Sequence, residues 1–63
     1  MNEAIVKASL FATSIYLGTK AKVQARKGNG VWYVVLPPHP RREEVKEQFE
    51  KAGVVVLAEI RQG

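Results

Sequence analysis

The chain has 63 residues, ten Lys/Arg against six acidic side chains, no cysteine and a single histidine, His39, giving a formal net charge of +4. One domain over residues 1–63 is all that length supports, and a domain this small buries only about 60% of the surface its unfolded chain exposes. Missing cysteine excludes disulfides and thiolate zinc sites, so added stability has to come from a close-packed core or from a partner.

The first third of the chain reads in two ways. As a helix, Ile5, Ala8, Ala12, Ile15 and Tyr16 share one face, with Asn2 as N-cap and Gly18 as C-cap. As a strand, Val6, Ala8, Leu10 and Ala12 alternate with Lys7, Ser9 and Thr13. A mixed version places a strand near 4–8 before a helix capped by Ser9, giving the order β-α-β-β-α-β of a miniature ferredoxin-like plan.

The next expected element is a β-hairpin over about 20–36. Polar Lys20, Lys22, Gln24 and Arg26 alternate with Ala21, Val23 and Ala25, the pattern of a half-buried strand. Gly28-Asn29-Gly30 supplies the positive φ values of a tight turn, and Val31 to Leu36 then reads as a strand apolar on both faces. Pro37-Pro38-His39-Pro40 stops it, because proline removes ladder donors.

A helix is expected over about 40–52. Val45, Phe49 and Ala52 make its narrow apolar stripe, Glu47 and Lys51 pair one turn apart, and Gly53 ends it. A last strand over about 54–61 completes a small, mostly antiparallel sheet packed on one helix, an α+β fold. Strands apolar on both faces need cover on both, so the second face calls for the N-terminal segment or another copy of the chain. Homo-oligomerisation is expected on that ground.

Charge is uneven along the chain. Residues 1–42 hold seven basic side chains and one acidic, whereas 43–63 hold three basic and five acidic. The cationic surface therefore belongs to the hairpin and the loop after it, and a basic stripe of this kind suits a polyanion. Lys20, Lys22, Gln24 and Arg26 stand on one side of a strand, each about 7 Å from the next, close to the phosphate spacing of an extended nucleic acid. A two-residue turn would set Arg26 opposite Tyr33, a three-residue turn opposite Trp32; either places a stacking ring beside the cations. Lys27 adds to the row, and Arg41 and Arg42 in the first turn of the later helix offer an anion seat. The competing structural reading makes the lysines a solvated edge that deters aggregation and pairs the arginines with nearby glutamates.

The expected function is nucleic-acid binding, to RNA in an RNP or to DNA, through phosphate and stacking contacts by Lys20, Lys22, Arg26, Lys27, Trp32, Tyr33, Arg41 and Arg42. The alternative is a protein-interaction module that homodimerises through its sheet. No catalytic role is expected: there is no aspartate or cysteine, Glu43, Glu44, Glu47 and Glu50 read as a solvated helix face, and no cofactor, metal or small-molecule site is suggested. The N-terminus does not resemble a signal peptide and no apolar run nears the roughly 20 residues of a membrane span, so a soluble, cytoplasmic protein is expected. The Lys/Glu-rich, cysteine-free usage leans thermophilic.

Overall fold

Asn2 caps the first helix: its Oδ1 accepts the Ala4 N–H at 2.8 Å. In the computed structural model, which describes residues 2–19 and 23–57, the elements run α1 (Glu3–Ile15), β1 (Arg26–Gly28), β2 (Val31–Val35), α2 (Arg42–Lys51) and β3 (Val55–Leu57). The helical alternative thus holds for the N-terminal segment. Ile5, Ala8, Ala12 and Ile15 are its buried face, and no strand precedes it among the described residues. Beyond its end Gly18 takes a φ of 87°, where a side chain would be strained.

The hairpin closes with a two-residue turn. Asn29 at φ 53° and Gly30 at φ 78° provide the left-handed pair that matches strand twist. The register is Arg26↔Tyr33, Lys27↔Trp32 and Gly28↔Val31. β1 is shorter than the alternation suggests, since ladder pairing begins only at Arg26. Burial still alternates before it, with Val23 and Ala25 buried and Gln24 exposed. Lys20 and Lys22 lie outside the described residues.

α2 starts where the prolines permit and ends in a Schellman motif. Val54 N–H donates to Phe49 C=O and Gly53 N–H to Glu50 C=O, both at 3.0 Å, with Gly53 at φ 83°. Val45 and Phe49 are its fully buried side chains. The helix then carries the chain over the sheet to β3, which pairs with β2 in parallel (Tyr33↔Val55, Val34↔Val56, Val35↔Leu57). The sheet is therefore mixed, in the order β1-β2-β3, with one antiparallel and one parallel pairing. A parallel pair needs a long crossover, and α2 supplies it.

Both helices share one core. Ile5, Ala12 and Tyr16 of the N-terminal segment join Val34, Leu36, Val45, Phe49 and Val54 in a single cluster. α1 therefore does not cover the sheet's second face, contrary to one of the two expectations for it. Val31, Tyr33, Val35, Val55 and Leu57 lie on that face, and Val31, Val55 and Leu57 are exposed.

Candidate nucleic-acid interface

The open face of the sheet is built by strand alternation. Trp32 and Val34 turn toward the helices, so Tyr33 turns away from them. The register puts Arg26 directly opposite Tyr33 on this face, both far enough from the core to meet a ligand. Gly28, diagonal to Tyr33, lets the ring lie across β1: a Cβ there would stand 2.9 Å from Tyr33 Cε1. Arg26 and Lys27 are exposed, and neither has a carboxylate partner among the described residues. Of the two rings, Trp32 packs partly against the core beside Lys27, which leaves Tyr33 as the ring on the open face.

Arg41 and Arg42 do something else. Arg41 holds Glu44 in a fork, Nε to Oε1 at 3.0 Å and Nη2 to Oε2 at 2.8 Å. That hydrogen bond and charge hold the Glu44 carboxyl below, and the guanidinium above, their ordinary values. Arg42 reaches back to the strands: Nε donates to Leu36 C=O at 3.0 Å and Nη2 to Leu57 C=O at 3.4 Å. It ties the ends of the two parallel strands to the start of the helix between them. The N–H groups at the helix entrance are also occupied, Arg41 N–H by His39 Nδ1 and Arg42 N–H by His39 C=O, each at 3.0 Å. The first turn of α2 is thus a structural joint rather than an open anion seat.

Two residues in that joint were not among the expected site residues. Tyr16 donates its hydroxyl to Pro37 C=O at 2.8 Å, and its ring lies 4.7 Å from that of His39 at a 40° tilt. Burial pushes the Tyr16 phenol up, partly offset by the charge of Arg42. His39 lies in the loop, as expected, and its ring nitrogen accepts the N–H of Arg41, the N-cap residue of α2, which makes no side-chain cap bond of its own. The place of His39 two residues before the first helical N–H groups, where Asn or Asp would make the same bond, is the local cue for this role. Tyr16 has no local cue, because its partner is 21 residues away.

The glutamates of α2 behave as a solvated face: Glu43, Glu44 and Glu47 lie beside Arg42, Arg41 and Lys51. No helix of the described residues is long and apolar enough to cross a membrane. No protein family, curated protein or solved structure matches the chain.

Proposed function

We propose that this is a small nucleic-acid-binding protein whose contact surface is the hairpin end of the open sheet face. The observation that carries the reading is the cross-strand pair of Arg26 and Tyr33, with Lys27 beside it. A cation next to a half-exposed ring suits a phosphate and the base attached to it. The +4 charge supports the same reading. Arg26 and Tyr33 carry the contact on this face, and Lys27 adds charge from the other side of the strand; Lys20 and Lys22, just before Val23 in the chain, add to the charge of this segment of the sequence. Trp32, Arg41 and Arg42 are left to packing and structure.

The test is a salt titration of binding to single-stranded DNA, duplex DNA and a structured RNA. Affinity should fall steeply with salt, and Tyr33→Ala should weaken single-strand binding by about 1–3 kcal/mol, the value of one stacked base. Affinity that does not move between low and moderate salt would sink the reading.

A second reading rests on the rest of the same face. Val31, Val55 and Leu57 flank Tyr33 and are exposed, an apolar surface suited to a second copy of the chain. Sedimentation separates the two: homodimerisation predicts a mass that rises with concentration and a Leu57→Lys variant that stays monomeric.

A further inference from the structure

Among the described residues, four surfaces stand outside the joint and the core: the open sheet face, the small hollow beside Leu17 and Thr19, the cleft between α1 and α2 beside Phe11 and Gln48, and the groove between α1 and the chain entering β1. The groove carries the argument furthest. It is lined by Val6, Leu10 and Thr13 of α1 and by Val23 and Ala25, and it measures about 360 Å³. Leu10 is 67% exposed and Val6 38%, one turn apart on the same flank of the helix.

The geometry of the two layers explains why this flank is bare. Two packed helices side by side cover about 20 Å, whereas three strands at about 4.8 Å spacing supply roughly 14 Å. The sheet falls one strand short, and β1 is the edge at which it ends. That edge also has main-chain groups to offer. With a two-residue turn, Gly28↔Val31 and Arg26↔Tyr33 are the hydrogen-bonded pairs, so Lys27 N–H and C=O point outward. Val23, Gln24 and Ala25 make no backbone hydrogen bond with any other described residue.

We infer that the β1 edge and the α1 groove take an extended acidic peptide strand from another protein, which adds a fourth strand to the sheet and places alternate aliphatic side chains against Val6 and Leu10. Strand addition uses the outward groups of Lys27 and Ala25 for affinity and the groove for specificity. Charge chooses the occupant. No acidic residue occurs from 4 to 42, and Arg26 and Lys27 stand on the edge. A second copy paired edge to edge would oppose these cations with its own, which is unfavourable. An acidic strand meets them with opposite charge. A nucleic acid has no use for an aliphatic slot beside a free ladder. The inference shares the cations Arg26 and Lys27 with the function proposed above but rests on the ladder edge and the groove, which that function does not use.

The probe is a short labelled peptide of alternating glutamate and valine, followed by fluorescence anisotropy against the full chain. Controls are the same composition in block order, alternating lysine and valine, and the first peptide N-methylated along one edge. The alternating acidic peptide should bind, and the other three should not. Its contact should shift the amide resonances of Ala25 and Lys27. Leu10→Ser should weaken it about tenfold, the loss expected for one partly buried leucine, while thermal stability and oligonucleotide affinity stay unchanged. Tyr33→Ala should leave the peptide's affinity intact, whatever it does to an oligonucleotide. Equal binding of the block-order or methylated peptide, indifference to Leu10→Ser, or no binding by the acidic peptide overturns the inference. So does an increase in mass of the chain alone that Leu10→Ser abolishes, which would assign the groove to a second copy.

Discussion

Two pairs of adjacent cations look alike in the sequence and differ in the structure. Arg41-Arg42 and Arg26-Lys27 each sit beside a turn, and each reads as a phosphate contact. At the entrance of α2 the arginines face inward or sideways. One holds a glutamate, and the other clamps the carbonyls of two strands. At the hairpin the cations face outward beside a ring, with no acidic neighbour within reach in sequence. What separates them is the supply of acceptors. Helix starts gather carboxylates and strand-end carbonyls; a hairpin turn of glycine and asparagine brings none.

The contrast can be broken most sharply at Arg42. Arg42→Ala removes a charged donor from two strand-end carbonyls and should cost about 1.5–3 kcal/mol of stability, a large fraction of what so small a domain has. Thermal denaturation measures it, and oligonucleotide affinity per folded molecule should not change. Arg42→Lys should recover little, because one ammonium cannot reproduce the fork. The opposite outcome is expected at the hairpin. Arg26→Glu with Lys27→Glu should leave stability within about 0.5 kcal/mol yet lower oligonucleotide affinity by about tenfold or more, with a salt slope shallower by about 2.

Smaller effects sharpen the joint itself. Tyr16→Phe keeps the ring and loses the bond to Pro37, for about 1 kcal/mol. Because burial raises the Tyr16 phenol, its contribution is complete below the ordinary tyrosine range and is lost as pH rises through the raised value. Alkaline denaturation should therefore begin later in the phenylalanine variant, measured relative to its own neutral-pH stability. His39→Ala should cost about 0.5–1 kcal/mol and His39→Asn less, since asparagine keeps an acceptor for the Arg41 N–H; a melt of both variants compares them. The smallest change is expected at Arg41. Its pair with Glu44 is half-exposed, so Arg41→Ala should hardly move the melting temperature. Glu44 titrates below its ordinary value, so what the pair contributes is present above the usual glutamate range and lost as pH falls through the lowered value. Whatever small difference separates this variant from its parent at neutral pH should therefore close in acid, which melts at the two pH values compare.

Much of the frame was legible because it is local. The buried stripe of α1, the Asn29-Gly30 turn and the Val45-Phe49 stripe of α2 each follow from spacing within a few residues. Helix outcompetes strand for the N-terminal segment because Ile5, Ala8, Ala12, Ile15 and Tyr16 all enter one core, which an alternating pattern would split between two faces. The same register argument that offered Tyr33 or Trp32 opposite Arg26 needed only the turn length to be decided. What could not be read was set at a distance. The parallel pairing of β3, the roles of Arg42 and Tyr16 and the uncovered sheet face all depend on where the crossover returns the chain. The phosphate reading of Arg41 and Arg42 rested on charge and a helix N-terminus, and neither says which acceptors the fold will bring near.

The mixed sheet also sets an order of assembly. β1 and β2 are joined by two residues and can meet early, as a hairpin does on the microsecond scale. β2 and β3 meet only after the whole path through α2 has formed, and the entropy of closing that longer loop has to be met first. The Gly53 cap that aims the chain into β3 is therefore a late-forming contact. A Gly53→Ala chain, strained at φ 83°, should fold at nearly the parent rate and unfold faster. The half of the molecule with the longest memory of the folded state is then the hairpin, and the C-terminal strand is the part that leaves first.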